Sequence, residues 1–183
     1  DPTVGPRAAD ADCDGYGTAV DCDDTDPGIH PLAGDVFGDG VDSDCDGMDC
    51  EADSIGGVYF AACHVSGSTW SASETRCTTA GHDGLATITS ASENSFIDGL
   101  MYYDTSLSNN DLYWIGYNDI ASEGSWVWTS GISSSYTAWG AGEPNNDGGI
   151  GDCAHLYAPP FSLSGTWNDH PCSNLQSFVC ESR

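Results

Sequence analysis

The aspartates of the N-terminal third constrain this chain more than any other feature. Residues 1–53 hold 16 of the 29 acidic residues and none of the six Trp. Such a segment has too few large apolar side chains to build a core, and its carboxylates repel one another unless cations neutralise them. In DADCDGYGTAVD, Asp10, Asp12 and Asp14 alternate and Gly15 follows. Carboxylates at positions 1, 3 and 5 of a loop converge on one hard cation, glycine at 6 permits the sharp turn, and position 7 offers a backbone oxygen. Position 7 is Tyr16 and position 12 is Asp21. The same offsets recur with Asp42, Asp44, Asp46, Gly47, Met48 and Asp53, and an overlapping register runs from Asp35 and Asp39 to Gly40. This grammar suits calcium, several ions of it. The alternative is an acidic disordered tail. No amphipathic helices flank the loops, so they are not EF-hands.

The stretch DCDDTDPGIHP followed by DSDCDG resembles the aspartate-rich metal-binding repeats of secreted bacterial proteins, distantly like thrombospondin type 3 repeats. In such modules calcium and a disulfide replace a hydrophobic core. The usual repeat has a cysteine where this chain has Phe37, which leaves an odd number here, Cys13, Cys22 and Cys45, with their pairing open.

Charge and cysteine content narrow the function. Three basic residues and a net charge of -26 exclude nucleic acid as the natural partner, since phosphates need Lys or Arg. The same charge disfavours anionic membranes. No apolar run approaches the ~18 residues that span a bilayer, so no membrane insertion is expected. Nine cysteines without a C-x-x-C spacing point to disulfides in an oxidising compartment, secreted or at a cell surface, rather than to zinc. The chain opens without a signal peptide, as a mature secreted form does.

From Tyr59 onward the apolar patterning is ordinary, so the reading is two domains: 1–53, a calcium-binding module, and 54–183, a folded domain. Strands are expected at Val58–Val65, Leu85–Ile88, Leu112–Tyr117, Trp126–Trp128, Cys153–Tyr157, Thr166–Asn168 and Phe178–Glu181. Helices are expected at Ser71–Ala80 and Ala91–Leu100, the second with Ser90 and Glu93 as a capping box. Between Gly131 and Gly151 lies a long stretch of Ser, Gly, Asn and Pro. Long irregular loops in compact domains are usually functional or disordered, and Trp139 and a dense polar motif favour function.

That motif is Glu143-Pro144-Asn145, and Trp167-Asn168-Asp169 follows some twenty residues later. Carboxylate and amide oxygens at this density suit calcium. With Trp114-Ile115-Gly116 and the cysteine order, these motifs resemble a C-type lectin domain from roughly Cys50 to Arg183. The resemblance implies an α+β fold with two helices, two small antiparallel sheets and a long calcium-binding loop. It implies the disulfides Cys77–Cys180, Cys153–Cys172 and Cys50–Cys63, the last bridging an N-terminal hairpin that begins at Cys50. It also implies a cis Pro144 and a loop calcium whose open positions take two sugar hydroxyls. Glu143 and Asn145 would serve one hydroxyl and Asn168 the other, while Asp169 would bind the ion only. The Glu-Pro-Asn order is that of mannose, fucose and GlcNAc readers. An auxiliary calcium would take Asp119, Glu123, Asn146 and Asp152.

One position departs from the family. A glutamate usually precedes the aspartate before Cys153, and here Gly151 stands there. Asp147 or water could fill the gap. Trp70, Trp114, Trp126 and Trp128 read as core, and His170 as either a sugar-stacking ring or an ordinary surface histidine. No nucleophile elbow appears, and the carboxylate pairs suit calcium better than glycoside hydrolysis, so no enzyme is expected. Glycans are the expected partners. The competing reading is a structural subunit that self-associates into an array or fibre through the same fold, without sugar.

Overall fold

The computed structural model describes residues 10–31, 33, 41–43, 45, 49–101, 112–160 and 162–183. Asp44, Asp46 and Met48 of the second aspartate loop lie outside the described residues, as does the register from Asp35 and Asp39. The chain separates into two compact units, Asp1–Asp49 and Cys50–Arg183. The boundary falls ahead of position 53 because a strand and a disulfide draw the residues after Asp49 into the second unit.

Among its described residues before Asp49 the first unit has turns but no helix or strand. Aspartate side chains close those turns. Asp10 Oδ1 accepts the N–H of Cys13 at 2.8 Å, Asp14 Oδ1 that of Tyr16 at 2.8 Å, and Asp21 Oδ1 that of Asp23 at 2.9 Å. Side chains that bond backbone two or three residues on replace secondary structure where no apolar face exists. A disulfide joins Cys22 to Cys45, which leaves Cys13 exposed and free. Tyr16 stacks on His30 with centroids 5.0 Å apart.

The second unit opens with a hairpin of β1 (Asp49–Ile55) and β2 (Val58–Ser68). Gly56 and Gly57, at φ 63° and 89°, make a two-residue turn that needs the left-handed region twice. Cys50–Cys63 clamps the hairpin. The remaining strands are β3 (Gly84–Leu85), β4 (Leu112–Asn118), β5 (Val127–Trp128), β6 (Cys153–Tyr157), β7 (Trp167–His170) and β8 (Gln176–Ser182). The order is β1-β2-β8-β4-β6-β7, with β3 on β8 and β5 on β4. Ladders β2–β8, β4–β6 and β6–β7 are antiparallel. A short parallel pairing, Tyr113 with Ser177 and Trp114 with Phe178, joins the two antiparallel groups into one sheet.

Two helices cover the sheet. α1 (Trp70–Thr79) is capped by Thr69, whose hydroxyl accepts the N–H of Ala72. In α2 (Ala91–Met101) the Ser90 hydroxyl accepts the Glu93 N–H, and Glu93 reaches back to the N–H and hydroxyl of Thr89, one residue earlier than a capping box requires. The core between helices and sheet holds Phe60, Ile88, Ile97, Tyr113, Ile115, Leu156, Trp167 and Val179, all fully buried. Cys77–Cys180 ties α1 to β8, and Cys153–Cys172 ties β6 to the turn after β7.

Candidate binding site

Strand β7 carries the second ligand motif. Its alternation buries Trp167 and Asp169 and leaves Asn168 and His170 half-buried. Trp167 fixes the strand in two ways. Its indole N–H donates to Asn94 Oδ1 of α2 at 2.7 Å. Its backbone N–H donates to Ala138 O, and its carbonyl accepts from Gly140, each at 2.8 Å. Glu143 N–H then bonds Gly140 O at 3.0 Å. These bonds register the Glu-Pro-Asn turn against β7, and the Glu143–Pro144 peptide is cis.

Asp169 sits at the junction, 5% exposed. Its Oδ1 accepts the N–H of Asn145 at 2.9 Å and its Oδ2 that of Asn146 at 2.6 Å. Asn146 Oδ1 accepts the N–H of Gly151 at 3.0 Å. A Cβ on Gly151 would lie 2.4 Å from Asp169 Oδ2. Gly151 is therefore more than a missing carboxylate, because its bare Cα makes the room in which the Asp169 carboxylate lies.

Two acceptors beside this junction have no partner. Glu143 Oε2 and Asn168 Oδ1 are buried and meet no donor. Such groups are costly to leave unsatisfied, so each needs an explanation. Burial first, then the charge of Asp169, holds the Glu143 carboxyl above the usual carboxylate range. Tyr157 responds to the same neighbours: burial first, then Glu143, raises its phenol. Two hard oxygens in want of a cation, next to a carboxylate with spare lone pairs, fit calcium. Asn145 is exposed. A cleft of about 350 Å³ opens here, walled by Asn145, Asp147, Gly151, Asn168, Asp169 and His170. Asp147 thus stands at the cleft beside Gly151, exposed, in a short 3-10 turn.

The auxiliary set is only partly assembled. Asp119 is 2% exposed, gives its N–H to Asp152 O at 3.0 Å and takes the Gly124 N–H on Oδ2 at 2.7 Å. Its Oδ1 is buried without a partner. Burial first, then Asp152 and Asp169, raises its carboxyl. Asn146 has its oxygen engaged by Gly151, and Glu123 is exposed. Among the described residues, groups of three acidic ligand atoms within 4.8 Å of one another occur only in the first unit.

There, Asp12, Asp14 and Asp21 form one such group and Asp10, Asp12 and Asp24 another. The Oδ2 atoms of Asp12, Asp14 and Asp21 are buried without partners, and Asp21 is 7% exposed. Burial first, then Asp14, Asp21 and Asp10, raises the Asp12 carboxyl. Asp24 was not legible as a ligand from the loop offsets, and its one signal is the acidic run after Cys22. Asp42 is partly buried. Asp53 stands exposed in β1 with its Oδ1 taken by the Ser54 N–H.

Trp70 and Trp114 serve the fold. Trp70 donates to Ile115 O at 2.8 Å and Trp114 to Ser68 O at 3.0 Å. His155, fully buried under Trp114, is held neutral: burial, then His170, lowers it to about 3.

A two-helix α+β unit stapled by Cys77–Cys180 and Cys153–Cys172, with an irregular polar loop stitched to one strand, defines the C-type lectin class. The family model for the Lectin C-type domain matches residues 66–182, and the chain belongs to that family. C-type lectin BfL-2 of Bungarus fasciatus is 41% identical over 80 residues, 44% of this chain and 49% of its own length. A C-type lectin mannose-binding isoform of Notechis scutatus scutatus is 39% identical over 97 residues, 53% of this chain and 59% of its own. The chain thus spans about half the length of the curated relatives it matches. Human lithostathine superposes with a TM-score of 0.63 at 25% identity, covering 73% of this chain and 97% of that one. No helix among the described residues is long and apolar enough to cross a membrane.

Proposed function

We propose that the second unit is a non-catalytic sugar-binding domain that works through a calcium ion held by Glu143, Asn145, Asn168 and Asp169. The observation that carries this reading is the pair of buried, partnerless acceptors, Glu143 Oε2 and Asn168 Oδ1, on two segments joined by backbone bonds. Calcium would supply the electrostatic anchor for two neighbouring hydroxyls. Each hydroxyl has one donor and two lone pairs, so it can donate to Glu143 and accept from Asn145 or Asn168 while facing the ion. The Glu-Pro-Asn order favours mannose-, fucose- and GlcNAc-type sugars. Asp119 and Asp152 would hold an auxiliary ion, with Glu123 and Asn146 completing its shell. In the first unit, Asp10, Asp12, Asp14, Asp21 and Asp24, with the Tyr16 carbonyl, would hold calcium that substitutes for a core. Asp42, Asp44, Asp46 and the Met48 carbonyl would form a second loop. The disulfides suit a secreted or surface protein. A glycan array read with calcium and with EDTA tests the sugar reading, and the absence of any EDTA-sensitive binding to these sugars overturns it.

A second reading, a structural subunit that binds protein and not sugar, is favoured by Asp169. Its carboxylate already holds the loop through two backbone N–H groups, so the loop keeps its shape without an ion. Free Cys13 offers a covalent route to self-association. Sedimentation at high concentration with calcium separates the readings, since a subunit of an array assembles and a lectin domain of this reading stays monomeric.

A further inference from the structure

The proposed calcium site draws one carboxylate from each of its two segments, Glu143 and Asp169, and its other side chains, Asn145 and Asn168, are neutral. Asp169 already accepts a backbone N–H of the loop on each of its oxygens. Calcium takes six to eight oxygens, and the charge count of its ligands tunes the affinity. Two acids are few for such a shell. Position 151 adds none, and a Cβ there would lie 2.4 Å from Asp169 Oδ2, so the space beside it is already taken.

A third acid stands in the wall of the cleft. Asp147 lines it together with Gly151, Asn168 and Asp169. The turn that carries Asp147 is tight. Asn146 is left-handed at φ 46°, and the Gly149 N–H bonds Asn146 O at 2.8 Å. Gly148 and Gly149 follow at φ 70° and 73°, a conformation open to glycine, and the chain reverses so that Asp147 and Gly151 wall one space.

The charge of Asp147 is felt on both segments. Burial and Asp169 raise the Glu143 carboxyl most, and Asp147 raises it further. Burial lowers the His170 imidazole, and the charges of Asp169 and Asp147 oppose that shift. One exposed carboxylate thus acts on Glu143, in the Glu-Pro-Asn turn, and on His170, at the end of β7. Carboxylates that repel one another in this way are drawn together by a divalent cation held between them.

We propose that Asp147 is a further ligand of the loop calcium, supplying the carboxylate that position 151 lacks. The assignment rests on the calcium reading of Glu143, Asn145, Asn168 and Asp169, and it deepens that reading.

The test is a calcium titration of the ¹⁵N-labelled full chain, followed at the Asn168 side-chain amide, which is assigned by its loss in Asn168→Ala. This signal reports the loop site apart from the aspartates of the first unit. Asp147→Asn keeps the size of the side chain and removes its charge, at an exposed position where folding is not at stake. It raises the calcium concentration at the midpoint at least about fivefold. The ratio persists in about 1 M KCl, where the Debye length is roughly 3 Å and charges that act only through solvent are screened. Equal midpoints in the parent and Asp147→Asn overturn the assignment and leave the four-residue calcium site standing. A ratio that vanishes in 1 M KCl also overturns it, since Asp147 then acts at a distance and not as a ligand. An Asn168 amide that does not respond to calcium in the parent overturns the calcium site itself, and Asp147 with it.

Discussion

Replacing Gly151 by alanine isolates the contact that sets the loop's geometry. The new Cβ would lie 2.4 Å from Asp169 Oδ2 and 3.2 Å from its Cγ, while the nearest backbone atom, Asn146 Cα, is 3.4 Å away. Asp169 must therefore turn aside, since ordinary contact begins a full ångström further out. Turning breaks the bond to Asn146 N–H at 2.6 Å and strains the one to Asn145 N–H at 2.9 Å. A hydrogen bond to a charged acceptor contributes about 1.5–3 kcal/mol net, and the methyl's overpacking costs a further 1 kcal/mol or so, which gives a loss of about 2–4 kcal/mol. For a unit of this size that lowers Tm by roughly 10 °C. Urea and thermal unfolding in EDTA, followed by near-UV circular dichroism, measure it. Gly151→Glu suffers at least as much in EDTA, but calcium restores more of its stability than of the parent's, because the new carboxylate adds oxygens to the ion's shell. If Gly151→Ala unfolds within about 0.5 kcal/mol of the parent, the Asp169 carboxylate does not hold the loop and the reasoning fails.

Further outcomes are expected. Asn168→Ala removes an acceptor from the proposed calcium site and reduces calcium-dependent sugar retention more than about tenfold, while the melting temperature in EDTA falls only modestly, because Oδ1 has no partner and only the side-chain hydrogen bond with Tyr157 is lost. Asp21→Ala weakens calcium binding by the first unit, and EDTA leaves residues 10–45 open to protease in the parent. Calorimetry and limited proteolysis read both, and a protease-resistant segment in EDTA refutes the calcium-ordered loop. Between pH 6.5 and about 3 the unfolded chain binds a proton that native His155 refuses. Its share of stability, complete above pH 6.5, therefore falls by about 1.4 kcal/mol per pH unit on acidification. The raised carboxyls of Glu143 and Asp119 act in the opposite sense, so the slope is read as the difference between the parent and His155→Asn. Thiol titration of the unfolded, unreduced chain finds a single reactive group, and none in Cys13→Ser.

Much of the fold was present in the residue pattern. The short strand candidates Leu112–Tyr117, Cys153–Tyr157 and Phe178–Glu181 fall within β4, β6 and β8, and Ser90 with Glu93 marked the start of α2. Strand β1 was legible only through the hairpin that the family resemblance implies, since Asp49–Ile55 is acidic and short of apolar residues. It becomes a strand because Gly56-Gly57 folds it onto β2 and Cys50–Cys63 holds it there. The parallel pairing of β4 with β8 was also invisible, because it depends on where two distant segments meet.

Residue type and spacing alone set which chemistry is available: spaced carboxylates in the first 53 residues, and oxygen-bearing side chains around Pro144 and Trp167. Ligand identity follows from residue type and local offset, and both are written in the chain. Tertiary structure decided which of those oxygens are free to act. It turned both Asp169 oxygens toward backbone N–H groups, left Glu143 and Asn168 with buried acceptors, kept Glu123 exposed, and joined Asp24 to Asp10 and Asp12. It also gave Gly151 its role as the space that admits Asp169, for what a glycine makes room for depends on the atoms that fold against it.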